Sequence, residues 1–423
     1  MNYKITMIGM ALVTSMAFTA SANEPRNLEL EDRVIFNKIG VQNPSMVQPS
    51  FQPRAEPNVR DFEPRVPGQI RAPFLNKSVS FSFPVTDAMP MDFSEKQAHS
   101  QSRQYRMEVT GKELRQGVSL KTTAPGALVR ISGFNTSNPV EPQNLNLHIA
   151  NQKFAKGSAF DTLVDSRMMT KTGVGFQQGT TGFKISEQVG NGHFKLQTEQ
   201  SLADSDRYLV NVFEKNSDVE LHLTANKSSY LKGGLMTVNT ALWDQGSKVP
   251  LSSVKSSLIS PNGERMPLVA NKSGQMQLPM NMRASNVPGA LWTLETEVDA
   301  MINGVEVKRI AKVAFAYADK TATLSKMQPL VDERAGRLSA MIPVHANKQG
   351  RYEVRGVLYA TNADGKMIPA MVTHSANSLN PGVSMINMQF DKNILAAKGL
   401  SAPFALKNLQ LRDQLRMAVL ETK

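Results

Sequence analysis

From Lys77 onward, hydrophobic and polar residues alternate along the chain with a period of two. Leu145, Leu147 and Ile149 are separated by polar residues, and the same alternation runs through 219–223. This period is typical of a β-strand in a sheet that buries one face and exposes the other. We therefore predict an all-β protein of tandem antiparallel β-sandwiches.

Asn-Gly and Asp-Gly pairs separate several of the strand-like runs. Both pairs tolerate the positive φ that a two-residue hairpin turn requires. We predict hairpin turns at four of them: Asn191-Gly192, Asn262-Gly263, Asn303-Gly304 and Asp364-Gly365.

The end of the chain also alternates. Leu409, Met417 and Val419 are apolar residues at odd positions. Asp413 is polar and breaks this pattern, which a turn or bulge at residues 412–414 explains. We predict that the chain ends in one strand or in two short strands.

The first 22 residues have the three parts of a secretory signal peptide. Lys4 supplies a positive charge, Ile5–Phe18 is a short apolar run, and Ala20–Ala22 offers small residues for cleavage before Asn23. We therefore predict an exported protein, periplasmic or extracellular. No later apolar stretch has the roughly 20 residues of a membrane helix, so the mature chain is predicted to have no transmembrane segment.

Prolines recur every three to nine residues from Pro44 to Pro73, which favours an extended and solvated arm. The two stretches after residue 217 each have about the length of an immunoglobulin-like (Ig-like) sandwich. We predict five segments, namely 1–22 (signal peptide), 23–76 (proline-rich arm), 77–217 (N-terminal β-sandwich-like domain), 218–320 (Ig-like domain) and 321–423 (C-terminal Ig-like domain).

Composition narrows the chemistry. The chain has no cysteine, which excludes thiol catalysis, cysteine-metal sites and a cysteine lipid anchor. The formal net charge is +12, and residues 321–423 alone hold 13 Lys and Arg against 7 Asp and Glu. Such a surface attracts anionic envelope polymers, or is simply a solvated basic face. The basic residues form no dense run, so a nucleic-acid partner is not predicted.

No motif assigns a catalytic residue or a cofactor. The six histidines include no pair within five positions, and no serine sits in a GxSxG elbow. Asp204 and Asp206 are candidate metal ligands, because alternate carboxylates can converge on a hard cation. The alternative is a turn in which both side chains bond nearby backbone amides.

Three aromatic residues are candidate ligand contacts. Phe176 and Phe183 flank a glycine-rich segment, which is either a ligand-adapting loop or a plain connection. Trp243 ends a strand beside a polar residue, so we expect it on the surface, where sugar-binding modules stack sugar rings on aromatic side chains. Trp292 shares the phase of Leu294, which predicts a core position.

Several segments resemble a known family. The resemblance rests on Trp292–Glu295, Ala314–Tyr317, Gly350–Val354, Leu358–Gly365, Leu400–Phe404 and Arg416–Leu420. They are similar to an exported Gram-negative family known as "domain of unknown function forty-seven eighty-five". The resemblance implies a β-rich N-terminal domain followed by Ig-like domains, and it implies no catalytic residue.

These observations favour a non-enzymatic exported protein that binds an anionic envelope polymer or another exported protein. They leave two alternatives open. One is a secreted hydrolase that acts on polysaccharide or peptide with its site in residues 77–217. The other is an envelope or secretion accessory factor. The sequence determines neither the ligand nor the oligomeric state.

Overall fold

The computed structural model describes residues 77–86, 95–134, 138–149, 152–154, 158–171, 179–269, 275–279, 282–284, 289–326, 329–334 and 337–423. Most of these residues are strands, arranged in six sheets. Among the described residues, the strand pairs are antiparallel except for one short parallel pair between residues 229–231 and 316–318. The predicted all-β antiparallel fold is therefore confirmed. The signal peptide, the proline-rich arm and Phe176 lie outside the described residues.

The first two strands join sheets that belong to distant parts of the chain. β1 (Val79–Pro84) pairs with residues 371–376, and β2 (Ala98–Ser102) pairs with residues 221–225. Sequence reasoning assigns both strands to the segment 77–217. The chain instead passes through the C-terminal and central sandwiches before it enters the N-terminal one.

The N-terminal sandwich packs two sheets face to face. Its strands are β3 (Gln104–Thr110), β4 (Val118–Thr122), β5 (Leu128–Gly133), β6 (Leu145–Ile149), β7 (Gln152–Lys153), β8 (Phe160–Val164), β9 (Thr181–Ile185), β10 (Gly192–Thr198) and β11 (Arg207–Phe213). The sheet orders are β3-β11-β5-β9-β8 and β4-β10-β6-β7. Leu120, Leu147 and Leu196 are fully buried between the sheets because alternate residues of each strand face inward.

Short helices connect some of these strands. They are α1 (Gly111–Gln116), α2 (Ser166–Lys171) and two single turns at Pro142–Asn144 and Glu187–Val189. α1 begins with a capping box, in which Thr110 and Glu113 bond each other's backbone amides. Within the described residues, no helix combines the length and the apolar character that crossing a membrane requires.

The central sandwich uses β2 and a new set of strands. They are β12 (Glu220–Ala225), β13 (Ser229–Leu231), β14 (Leu235–Asp244), β15 (Ser247–Val249), β16 (Leu251–Ile259), β17 (Arg265–Leu268), β18 (Gln275–Gln277), β19 (Trp292–Ile302) and β20 (Val305–Ala318). The sheet orders are β15-β14-β12-β2, with β18 also pairing β14, and β13-β20-β19-β16-β17. Trp292 lies in this core, against Tyr317, as its phase predicted.

The C-terminal sandwich begins at residue 322. Its strands are β21 (Ala322–Leu324), β22 (Leu330–Arg334), β23 (Arg337–Ala346), β24 (Gly350–Thr361), β25 (Met367–Leu379), β26 (Gly382–Phe390), β27 (Ser401–Asp413) and β28 (Ala418–Thr422), with helix α3 (Lys392–Ala397) before β27. One sheet has the order β1-β25-β24-β27-β28, and in the other β23 pairs with β21, β22 and β26. The chain ends in two strands, as predicted.

Three of the four predicted hairpin turns join paired strands. They follow β16, β19 and β24. The prediction at Asn191-Gly192 is wrong, because β9 and β10 lie in different sheets. The pattern also missed a hairpin between β14 and β15, where Gln245 and Gly246 both have positive φ. Gln is not a residue that signals this turn, so sequence reasoning had no basis for it.

A buried ion pair joins the N-terminal and central sandwiches. Glu214 follows β11 and Arg309 lies on β20; their side chains are 0% and 1% exposed and 2.6 Å apart. Glu214 also accepts hydrogen bonds from the amides of Thr123 and Ala124. Arg309 donates to the carbonyl of Val219 and to nearby hydroxyls. Because both charges have partners, they fix the two sandwiches against each other.

Candidate functional site

The two candidate metal ligands occupy the turn before β11. Asp204 is two-thirds exposed and forms an ion pair with Arg115. Asp206 accepts a hydrogen bond of 3.4 Å from the Tyr208 hydroxyl. The two carboxylates therefore engage different partners. Within the described residues, no group of three or more His, Asp or Glu side chains could hold a metal ion.

Phe183 lies in the core and not on a ligand-binding surface. It is fully buried on β9 and packs edge-to-face against Phe160, with ring centroids 4.9 Å apart. The prediction of a surface contact followed from its place beside glycines. Its position follows instead from the alternation along β9, because Phe183 and Ile185 lie on the same inward face of the strand.

Trp243 is half-buried on the outer face of a central-domain sheet. It lies near the end of β14, opposite Glu220 of β12 and Lys248 of β15. The neighbouring Leu242 is fully buried in the core, which fixes Trp243 on the solvent side because successive side chains alternate.

Strand pairing places a group of polar and aromatic side chains beside Trp243. Gln101 on β2 is opposite His222 on β12, and His99 is opposite Thr224. His222 is in turn opposite Ala241 on β14. Opposite residues share a sheet face. We name this surface the Trp243 face, and its residues are His99, Gln101, Glu220, His222, Thr224, Ala241 and Trp243.

Hydrogen bonds orient both histidine rings of the Trp243 face. His222 Nε2 donates to Glu220 Oε2 over 3.0 Å. His99 Nδ1 and Thr224 Oγ1 are hydrogen-bonded at 2.9 Å. Arg103 Nε lies 3.7 Å from the second carboxylate oxygen of Glu220. The carboxylate is thus held between a histidine and an arginine, which limits the rotation of all three side chains.

The three aromatic rings follow one another across the strands. The His99 and His222 ring centroids are 5.7 Å apart, and those of His222 and Trp243 are 6.1 Å apart. Ala241 lies opposite His222 and contributes only a methyl group to this part of the face.

The surroundings of His99 on the Trp243 face lower its pKa and so favour the neutral imidazole. Burial lowers the pKa of His99, the neighbouring His222 lowers it further, and Glu220 opposes this with a smaller effect. A neutral imidazole both donates and accepts hydrogen bonds. Within the described residues, Nε2 of His99 has no protein partner. The face therefore offers a polar ring nitrogen, an amide at Gln101 and a carboxylate at Glu220 within one aromatic row.

This arrangement is suited to binding. The Glu220 carboxylate pairs with a histidine and an arginine, and the other face residues are ring, amide, hydroxyl and methyl groups. An aromatic row with donors and acceptors at its side can stack on a flat apolar surface while it bonds polar groups at the edge. A rigid outer sheet face carries these groups, so little ordering is required when a ligand binds.

Sequence reasoning identified Trp243 but missed the histidines beside it. Nothing in the sequence links His222 to His99, which lies 123 positions earlier. The two histidines come together because β2 pairs with β12. Sequence reasoning assigns β2, and therefore His99, to the N-terminal domain and β12 to the central one. The alternation of Ala98, Ser100 and Ser102, which are all buried, is the signal that would have identified β2 as a strand.

Known proteins resemble the whole described chain. Family models for the N-terminal, central and C-terminal domains of DUF4785, a domain of unknown function, match residues 72–214, 217–318 and 321–423. The chain is also similar to the crystal structure of a DUF4785 family protein from Legionella pneumophila. The identity is 20%, the TM-score is 0.59, and the match covers 88% of this chain and 97% of the other.

This structural likeness concerns the fold alone. No curated protein matches the chain. The three family models follow one another in order and together span most of the sequence. The chain therefore belongs to the DUF4785 family, a family of unknown function.

Proposed function

We propose that this protein is an exported, non-enzymatic binding protein that recognises carbohydrate through the Trp243 face. The observation that carries the proposal is the row of three aromatic rings, Trp243, His222 and His99, flanked by hydrogen-bonding side chains. Sugar rings present an apolar C–H face and a polar edge. An exposed aromatic row beside amide and carboxylate groups complements both features.

Export is supported by the amino terminus. Lys4, the apolar run Ile5–Phe18 and the small residues Ala20–Ala22 have the order of a cleavable signal peptide. A protein delivered to the periplasm or beyond meets envelope polysaccharides there. The excess of basic residues in 321–423 adds a long-range attraction to polymers that also carry negative charge.

Binding of the purified protein to an array of bacterial-surface glycans tests the proposal. We expect one class of polysaccharide to bind, and calorimetry on that class to give a saturable isotherm. Trp243→Ala removes the largest ring of the face and should weaken binding at least tenfold, a loss of about 1.4 kcal/mol. Leu235→Ala is the matched control, since Leu235 is exposed on the outer side of the same strand but lies at its far end.

Two results would contradict this proposal. One is an array on which no glycan binds above background. The other is a bound glycan whose affinity is the same for the parent protein and for Trp243→Ala. Incubation of the bound glycan with the protein, followed by measurement of new reducing ends, tests the alternative of a hydrolase with its site in residues 77–217. Sustained release of reducing ends would replace the binding proposal.

A further inference from the structure

A groove of about 530 Å³ runs between β1 and β26 at one side of the C-terminal sandwich. Val79 lines it from β1, Asn377 from β25, and Met385 and Asn387 from β26. The groove lies far along the chain from the Trp243 face and belongs to a different sandwich. It lies between an edge strand of one sheet of the C-terminal sandwich and an edge strand of the other.

The two strands converge at one end of the groove. Ser80 Oγ accepts a hydrogen bond of 2.9 Å from the amide of Gln389, and Ser82 Oγ donates one of 3.2 Å to its carbonyl. At Gln389, the hydroxyls of Ser80 and Ser82 therefore replace the backbone partners that a neighbouring strand would supply. The groove opens beyond these bonds, where Ser78 and Met385 line it.

β26 presents an unpaired backbone edge to this opening. Its described partner is β23 alone. Backbone groups of successive strand residues point to opposite sides, so Val383, Met385 and Asn387 face the same side as Gln389. Within the described part of the chain, the amides and carbonyls of these three residues have no hydrogen-bond partner. Such an edge is a template for one further strand.

The lining of the groove restricts the chemistry of that strand. None of the lining residues carries a charge. Val79 and Met385 are apolar lining residues and are 42% and 45% exposed, and Ser78, Asn377 and Asn387 add neutral polar groups. Methionine adapts its shape to different apolar partners. An uncharged, extended peptide with apolar residues at alternate positions complements both the edge and the walls.

Two other occupants fit less well. The chain upstream of Ser78 leads to the mouth of the groove, but it carries Pro64, Pro67 and Pro73, and proline cannot donate to a ladder. A second copy of the sandwich would bring a whole sheet to the edge of β26. β1 stands opposite that edge as the other wall of the groove and is in the way of a whole sheet.

We propose that this groove binds an extended, uncharged peptide segment of another protein, which adds a strand beside β26. Val383–Asn387 would then pair through their outward backbone groups. Met385 and Val79 would contact the alternate apolar side chains of the peptide. This role is independent of carbohydrate binding at the Trp243 face.

The test uses the full-length protein and the peptide acetyl-Thr-Val-Thr-Val-Thr-amide. We expect saturable binding, with slower amide exchange in residues 383–387. The same peptide with N-methyl groups on both valines lacks two donors and should bind at least tenfold more weakly. Met385→Pro removes one outward amide that the fold does not use, and should weaken binding about three- to tenfold. Met385→Ala keeps that amide and is the matched control.

Several results would overturn the proposal. Strand addition at β26 would be excluded if the parent and N-methylated peptides bound with equal affinity. It would also be excluded if Met385→Pro and Met385→Ala bound the peptide equally well, or if the peptide slowed amide exchange only outside residues 383–387. Absence of binding to the full-length protein together with binding to a chain that lacks residues 23–76 would show that the arm occupies the groove. If Met385→Pro fails to fold, the affinities of the parent protein for the unmodified and the N-methylated peptide still test the proposal.

Discussion

The two junctions between sandwiches are built differently. Between the N-terminal and central sandwiches, Glu214 and Arg309 form a fully buried ion pair. The described contacts between the central and C-terminal sandwiches include a bond from the amide of Val419 to Ser229 Oγ at 3.0 Å and one from the amide of Gly289 to the Leu415 carbonyl at 3.2 Å. The first junction contains a buried ion pair, whereas the second combines these hydrogen bonds with apolar contact, since Leu231 of β13 packs against the C-terminal core.

Further ion pairs strengthen the first junction. Arg106 of the N-terminal sandwich pairs with Glu295 of the central one, and Lys121 pairs with Glu306. β2 leads into β3 through Arg103 alone, and β2 carries His99 into the Trp243 face. The Trp243 face thus lies in the sandwich that these ion pairs join to the N-terminal one, and the β26 groove lies beyond the second junction. We expect the two junctions to respond differently when their polar contacts are removed.

The largest effect is expected at Arg309. Arg309→Met leaves Glu214 buried without its partner and should lower the free energy of unfolding by about 3–5 kcal/mol. Both tryptophans lie in the central sandwich, so urea unfolding followed by tryptophan fluorescence reports it directly. The double variant Arg309→Met/Glu214→Gln should recover at least half of the loss. Equal stability of the single and double variants would show that the charges are not coupled.

The next effect is the pH dependence of Glu295. Burial raises the pKa of this carboxyl, but Lys312, Arg106 and Arg265 together outweigh burial and hold the pKa below its ordinary value. The ionised form is thus favoured in the folded state. The stabilisation of the folded state by the Glu295 carboxylate is fully present above the ordinary pKa of 4.5. It is lost as the pH falls through the lower pKa that the carboxyl has in the folded protein.

We therefore expect Glu295→Gln to be less stable than the parent protein at pH 7 and to lose less stability between pH 5 and pH 3. Unfolding free energies measured across that range check both statements. Parallel curves for the two proteins would mean that Glu295 titrates alike in the folded and unfolded states.

A smaller effect is expected at the second junction. Ser229→Ala leaves the amide of Val419 without its acceptor and should cost about 1 kcal/mol locally. Hydrogen exchange of residues 418–420 should become about fivefold faster, a factor equivalent to that free energy. The fluorescence-detected unfolding midpoint of the central sandwich should stay within error. A shift of that midpoint as large as the shift for Arg309→Met would remove the distinction between the junctions.

The smallest effect is expected for the exposed pair of the first junction. Lys121 and Glu306 are 30% and 41% exposed, and solvent screens their attraction. Lys121→Ala should change the free energy of unfolding by at most about 0.5 kcal/mol. A loss of unfolding free energy comparable with that of Arg309→Met would mean that burial does not explain the difference between the Glu214–Arg309 pair and the Lys121–Glu306 pair.

Local patterns predicted the strands well because side chains along a strand alternate between the two faces of the sheet with a period of two residues. The alternation at 145–149 and 219–223 became β6 and β12, and the final residues became β27 and β28. Such patterns are short-range, and each strand displays its own buried face in the sequence. They say which residues face inward but not which strand lies beside which.

The candidate site could be predicted only in part for the same reason. Trp243 was identified from its own strand. His99 joins it through pairing between β2 and β12, which lie more than 100 residues apart in the chain. β1 is a similar case, since its serines bond β25 and β26 almost 300 residues later. Long-range pairing depends on the complementarity of whole faces, and no local pattern contains it.

Hydrogen exchange of the protein with and without its best-bound glycan tests the Trp243 face most directly. We predict slower exchange in three separate segments at once, namely 98–102 on β2, 220–225 on β12 and 239–248 on β14 and β15. These segments are far apart in the chain and lie side by side in the sheet that carries the Trp243 face. Protection confined to the N-terminal sandwich, or to the C-terminal sandwich alone, would contradict carbohydrate recognition by this face.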